Sequence, residues 1–322
     1  MSRPHGLRPG APAAAFRHRR GQALGALLAA LLTGAVTGCS GGSTAATGAA
    51  TTTSPATSTT TSPLVTPSPT ASTPAPAGPA PTSPTASAGP SAAPSVTAAA
   101  DLTALRGKVI VIDPGHNGGN GAHPDQINRL VAVGNGTKAC DTAGTQTNAG
   151  YAEHTFTWDL AQRLAATLRT AGAQVVLTRS GDAGVGPCIN ERAAIGNQAH
   201  ADLAISLHAD GASSSGYGFH IIEPGSIGSN TAIVAPSRQL GGALRDAFRA
   251  GTGEPYANYI ARSGIDVRTD LGGLNLSAVP KVFIECGNMR NAADASRLTS
   301  PAWRQRAAQA LAAGMAGYLS GH

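Results

Sequence analysis

The apolar residues of this chain form two kinds of pattern, and both begin after residue 100. Val109-Ile110-Val111-Ile112 runs straight into Asp113-Pro114-Gly115-His116. Four β-branched residues stopped by Pro and Gly predict a buried strand over 108–113 that ends in a sharp turn. Comparable short runs predict strands at 175–179, 203–208, 218–222 and 281–285, with 218–222 nearer an edge of the sheet. Between them the period changes. Phe156, Leu160, Leu164 and Leu168 recur every four residues and predict a helix over 151–170, closed by Gly172. A helix over 190–199 follows, with Asn190 as its cap. Leu240, Leu244 and Phe248 mark another, and Trp303, Ala307, Leu311, Met315 and Leu319 stripe a C-terminal one. Residues 117–150 are polar, rich in Gly and Asn, and carry at most a short hairpin around 130–133; a loop of that length in a compact domain is commonly functional. Residues 254–280 read as irregular, with Gly272, Gly273 and Pro280 as breakers. Strands alternating with helices predict an α/β fold: a single layered domain with a central, mostly parallel or mixed sheet flanked by helices.

Composition divides the chain. Residues 1–100 hold no Asp, Glu or Lys. Arg17, Arg19 and Arg20 precede the apolar run Ala23 to Leu32, and small residues lead to Cys39. A basic start, a short apolar middle and a small-residue end are the pattern of a secretory signal, here over 1–38. Val36-Thr37-Gly38-Cys39 resembles a bacterial lipobox, which implies cleavage before Cys39 and a lipid on its sulfur; ordinary cleavage beside an incidental cysteine is the plainer reading. Residues 39–100 are rich in Ser, Thr, Pro and Ala and lack core formers, so a disordered tether is expected, on the order of 45 Å across as a coil. The net charge of +6 comes largely from Arg3, Arg8, Arg17, Arg19 and Arg20, which leaves 101–322 near neutral and gives no electrostatic case for nucleic acid.

Three predicted strands end in His116, His208 and Glu285, and Glu153 opens a helix on the face of its apolar stripe. Two imidazoles and a carboxylate can ligate a catalytic zinc with one position left for water, and a further carboxylate can take that water's proton. The residues sit on separate elements, so no local motif carries this. The plain alternatives stand beside it: a satisfied polar histidine at a strand end, a glutamate that complements a helix dipole, a glutamate paired with an arginine.

The domain also resembles the zinc-dependent N-acetylmuramoyl-L-alanine amidases of bacterial cell walls. The matching segments are Ile112-Asp113-Pro114-Gly115-His116, Glu153, Val176-Leu177-Thr178-Arg179, Ala201 through Asp210 with Ile205-Ser206-Leu207-His208, and Phe283-Ile284-Glu285-Cys286-Gly287-Asn288. They fall in family order across 105–320. The resemblance implies that His116, Glu153 and His208 bind zinc and that Glu285 is the catalytic carboxylate. It implies hydrolysis of the amide between the lactyl group of N-acetylmuramic acid and L-alanine of the stem peptide, with peptidoglycan as substrate. Two departures stand out: Asn288 replaces an aromatic residue common after Glu-x-Gly, and the 117–150 loop is long. No inhibitory helix is visible in that loop, so constitutive activity is expected.

Asp113 reads either as a support for a ligand histidine or as a cap of its turn. Arg179 and Arg192 read as structural ion-pair residues, with peptide carboxylates or wall phosphates as the alternative partners. His123, His154, His200 and His220 read as surface or core histidines. On an exported chain, Cys140 and Cys188 in Gly/Thr/Pro-rich loops make a plausible disulfide, whereas Cys286 reads as a buried thiol turned away from Glu285. The resulting expectation is a monomeric, exported zinc amidase at 101–322, lipid-anchored on the outer face of the plasma membrane. A zinc peptidase cutting within the stem peptide and a non-catalytic wall-binding or regulatory lipoprotein are the rivals.

Overall fold

A computed structural model describes residues 100–321. The signal, the Cys39 lipid site and the tether lie outside the described residues, save the tether's last residue.

A first strand, β1 (Val109–Pro114), opens the domain. The long loop after it contains a four-residue helix α1 (Pro124–Ile127) and a hairpin of β2 (Leu130–Ala132) and β3 (Thr137–Ala139). Then follow α2 (Glu153–Thr170), β4 (Gln174–Leu177), α3 (Ile189–Gln198), β5 (Leu203–Asp210), β6 (His220–Pro224) and α4 (Thr231–Thr252). The chain closes with β7 (Ile265–Arg268), α5 (Gly272–Asn275), β8 (Lys281–Asn288), α6 (Ala292–Thr299) and α7 (Pro301–Ser320). Six strands form one sheet in the order β4-β1-β5-β8-β6-β7. All neighbours pair in parallel except β6 with β8, so the sheet is mixed, as the alternation of elements predicts.

Side chains alternate across each strand, and here the two faces have different jobs. Ile110, Ile112, Leu203, Ile205, Leu207, Val282, Ile284 and Cys286 turn to one face, where α2, α4 and α7 supply Phe156, Leu160, Leu164, Leu244, Leu311 and Met315 to a single core. Full burial of each large apolar side chain contributes about 1.5–3 kcal/mol. The opposite face carries a smaller cluster around Val111 and Ala204. By the same alternation it presents Asp113, Ser206, His208, Glu285 and His220.

Three local expectations change. β7 lies in the stretch read as irregular; with only four residues, an exposed Val267 and an edge position, it leaves no apolar run to recognise. The cap of α3 is Cys188, not Asn190, and the Glu191 carboxylate accepts from the Cys188 backbone N–H at 2.8 Å. α6, capped by Asn291, precedes the C-terminal helix as a separate element. The strand at 218–222 is β6, one position in from the edge.

Candidate active site

The turn after β1 sets the geometry. Gly115 packs so closely on the His208 ring that any Cβ there would occupy ring space. His116 follows with a left-handed φ of 60°, which swings its ring back over the sheet edge. α2 starts at the same edge, and its Thr157 hydroxyl ties it to the Gly115 carbonyl at 2.8 Å. Glu153, the first residue of α2, therefore reaches both histidines: Oε2 is 3.2 Å from His116 Nε2 and Oε1 is 3.0 Å from His208 Nδ1. Backbone N–H groups of Thr145 and Ala209 donate to its two oxygens. One ligand atom from each of His116, Glu153 and His208 lies within 4.8 Å of the others, a group able to hold a metal ion.

Neither ring is loose. His116 Nδ1 faces Asp141 Oδ1 at 3.2 Å and the Thr142 carbonyl at 3.1 Å, which leaves Nε2 on the Glu153 side. The His208 ring stacks on Phe283 at 5.3 Å and meets His116 edge-on at 5.0 Å. Burial disfavours the charged form of His116, but the Glu153 carboxylate and Asp141 outweigh it and raise its pKa to about 10. Burial likewise penalises Glu153, and the two histidines overcome that and hold it below the usual carboxylate range. A negative pocket that draws protons this strongly is also one that a cation can fill.

Glu285 sits beside His208 in the β5–β8 register, on the same face. Its Oε2 is sealed and has no hydrogen-bond partner. Burial pushes its pKa well above the ordinary carboxylate value, and the charges of Glu153 and Asp210 add to this. Cys286, the next residue, is fully buried in the core on the other face, as strand alternation predicts. A cavity of about 420 Å³ opens beside the cluster, lined by His116, His208, Phe283, Ile189 and Leu271. No residue of α1 lines it.

The other singled-out residues find structural work. Arg192 binds Asp113 Oδ1 at 2.9 Å, Asp141 Oδ2 at 3.3 Å and the carbonyls of Pro114 and His116. Arg179 binds Asp182, the Pro114 carbonyl and the His154 carbonyl. His154 pairs with Asp182 at 2.8 Å rather than with the cluster, whereas His123 and His200 are exposed and His220 is buried. Asn288, one of the two departures from the family pattern, donates to the carbonyls of Ser213 and Gly216 at 2.8 Å each and so holds the loop after β5. Cys140 and Cys188 form a disulfide.

Sequence reasoning missed Asp141. It follows Cys140, and the disulfide holds that segment to the start of α3, where Arg192 reaches Asp141 Oδ2 at 3.3 Å and the carbonyls of Pro114 and His116 in the β1 turn. Asp113, the candidate support, does not touch His116; its partners are Thr178, Arg192, Ser206 and Lys281.

Fold and cluster together define an α/β protein with a candidate metal site at the carboxyl edge of its sheet. A family model described as N-acetylmuramoyl-L-alanine amidase matches residues 110–317, and the chain belongs to that family. The N-acetylmuramoyl-L-alanine amidase Rv3717 of Mycobacterium tuberculosis is 44% identical over 225 residues, covering 70% of this chain and 91% of the relative. The crystal structure of the N-acetylmuramyl-L-alanine amidase Ami1 from Mycobacterium smegmatis is 42% identical, with a TM-score of 0.64, over 68% of this chain and 99% of that one. The apo form of Ami1 from Mycobacterium abscessus is 41% identical, with a TM-score of 0.63, over 66% and 99%.

Proposed function

We propose that this amidase hydrolyses the bond between the lactyl carbonyl of N-acetylmuramic acid and the amine of L-alanine, using zinc held by His116, Glu153 and His208 and proton transfer by Glu285. The observation that carries the reading is the convergence of the two imidazoles and Glu153 within 4.8 Å, with Glu285 in register beside His208. The donor set suits zinc, since nitrogen and carboxylate oxygen ligands in threes leave a position open. Zinc bound there supplies a Lewis acid for the carbonyl and brings the pKa of water down to about 7.

The chain's own residues do the rest. Asp141 and the Thr142 carbonyl fix the His116 tautomer, so that Nε2 presents its lone pair. Glu285 accepts a proton from the attacking water at its carboxylate and returns it to the nitrogen of the departing L-alanine. A cation in the cluster would favour its carboxylate form, the form that accepts the proton. The apolar wall of Phe283, Ile189 and Leu271 limits water beside the scissile amide.

Purified protein digesting purified muropeptides, with and without a chelator and beside Glu285→Gln, tests this by mass spectrometry. Zinc-dependent release of a peptide with free N-terminal L-alanine, lost in the variant, is expected. Cleavage inside the stem peptide, or full activity after complete metal removal, would sink the reading.

We also propose that 1–38 directs export, that Cys39 carries a lipid, and that 39–100 spaces the catalytic 101–322 from the outer face of the membrane, towards the wall. The sequence pattern supports this. Metabolic labelling with an alkyne fatty acid should mark the chain and fail to mark Cys39→Ala.

A further inference from the structure

Besides Glu285, one further polar side chain among the described residues is buried on the catalytic face of the sheet with an atom that lacks a partner. It is His220, 2% exposed, with Nδ1 sealed and unbonded. Its neighbours Phe219 and Ile221 enter the main core, so alternation puts the imidazole on the opposite face. β6 and β8 pair His220 with Glu285, and β5 and β8 pair His208 with Glu285. Three side chains thus form one row across the sheet, with Glu285 in the middle. Side chains directly opposite on one face have Cβ atoms about 4.5–5.5 Å apart, within reach of one another.

The two orphans in that row are next to each other. His220 Nδ1 and Glu285 Oε2 are both sealed from solvent and both without a hydrogen bond. Buried polar atoms left alone are costly and rare, and two of opposite kind side by side have a shared solution. The ring itself is braced: Tyr259 meets it edge-on at 6.2 Å, and the Tyr259 hydroxyl donates to Asp210 Oδ2 at 3.0 Å. Burial keeps the imidazole neutral against the pull of Asp210 and Asp266, with Arg268 acting in the same sense as burial. A neutral ring has one N–H to give.

We propose that His220 is a positioning residue for Glu285: its Nδ1–H holds Oε2, directly after a small rotation or through one buried water, and leaves Oε1 for the proton transfers. A carboxylate in the middle of a strand has several rotamers; one fixed oxygen reduces them to the productive one. The inference rests on the reading of Glu285 as the proton-transfer group.

The test is steady-state kinetics of the whole protein on a purified muropeptide, with Glu285→Gln as reference. His220→Phe keeps the ring volume and loses the donor. It should lower kcat about 10- to 100-fold, with KM changed by less than about threefold. His220→Asn places an amide N–H where Nδ1–H stood and should keep kcat within about fivefold of the parent. A parental kcat in His220→Phe, or an equal fall in both variants, overturns the proposal. Imidazole ¹⁵N–¹H spectra give a readout that survives poor folding of His220→Phe: the His220 Nδ1–H signal should shift in Glu285→Gln, and an unmoved signal overturns the contact. A fully active Glu285→Gln removes the premise, whereas an inactive Glu285→Gln beside an unimpaired His220→Phe removes only this inference.

Discussion

The Nζ of Lys281 lies 3.0 Å from Asp113 Oδ2, although the two residues stand on β8 and β1 with β5 between them. The Ser206 hydroxyl on β5 donates to the same oxygen at 2.6 Å, and Arg192 completes the group from α3. A lysine only 2% exposed in the middle of a sheet is tolerable only with such a partner. Burial opposes the Asp113 charge, but Lys281 and Arg192 hold its carboxyl well below the usual range. Asp113→Asn leaves two buried cations facing an amide and should destabilise the fold by about 3–5 kcal/mol. Urea unfolding read by circular dichroism checks this, and an unchanged midpoint would show that water reaches the group. The sign with pH follows: a depressed carboxylate contributes stability above its unfolded pKa of about 3.9 and loses it as pH falls through the folded value. Acid unfolding should therefore be blunted in the variant.

Asp141 carries a different expectation. It touches His116 Nδ1, and groups that orient a ligand histidine are commonly worth about 10- to 100-fold in metal affinity. Asp141→Asn keeps an acceptor oxygen but loses the charge, so a fall of about 10-fold is expected. Competition with a chromophoric chelator measures it. Unaltered zinc affinity would assign the orientation of the ring to the Thr142 carbonyl alone.

These two aspartates show where the sequence was legible and where it was not. The fold class and the positions of His116, His208 and Glu285 follow from short β-branched runs that stop abruptly, because a strand's end is marked in sequence by what interrupts it. Glu153 was visible because its place in an apolar stripe turns it inward. The roles of Asp113 and Asp141 depend on which strands neighbour β1 and on where a long loop folds back, and periodicity carries no such long-range information. β7 was hidden for a related reason: an edge strand of four residues with one exposed valine has no core side to advertise. His220 reads in sequence as a surface or core histidine, since its neighbour in register lies 65 residues away and on an antiparallel strand.

Close packing at the β1 turn yields a prediction about space rather than charge. A Cβ at Gly115 would overlap the His208 ring, and a Cβ at Gly144, whose φ is +75°, would lie 2.8 Å from both Glu153 Oε2 and His116 Cδ2. Gly115→Ala should displace His208, cut bound zinc to well under one equivalent and reduce turnover by at least about 100-fold, with the far-UV spectrum little changed. Gly144→Ala adds backbone strain to the same kind of intrusion and should act alike. Elemental analysis of the purified variants decides; full zinc occupancy in Gly115→Ala would mean that the turn can move aside.

Glu223 sits on the core side of β6 under Gly241 of α4, and burial raises its pKa from an ordinary 4.5 to about 7, against the pull of Arg238 and Arg245. A carboxylate with a raised folded pKa binds its proton more tightly when folded. The stability it allows is complete below the unfolded pKa and is lost as pH rises through about 7. Glu223→Gln should therefore flatten the decline in Tm between about pH 5 and 7 and melt higher than the parent above that range. Glu254, raised to about 8 by burial and by Asp294, keeps its own decline in both proteins from about pH 4.5 up to about 8, so the variant's curve is less steep but not level. Calorimetry across that range is the check, and parallel Tm curves for the two proteins would contradict it.

The Cys140–Cys188 disulfide closes a loop across 48 positions and joins the segment before Asp141 to the cap of α3. By loop-closure entropy it stabilises the fold by about 2–4 kcal/mol. Its more specific effect follows from its neighbours. Asp141 is one residue from Cys140 and bridges His116 and Arg192, so a freed loop carries away the group that orients the histidine. The pair Cys140→Ser and Cys188→Ser should lose both stability and zinc affinity, whereas an ordinary staple would affect stability alone. Combining the serine pair with Asp141→Asn separates the two effects. If the disulfide acts on the metal through Asp141, the serine pair lowers zinc affinity in the parent and adds little once Asp141 is already changed. If the two losses add in full, the disulfide supports the site through another part of the loop.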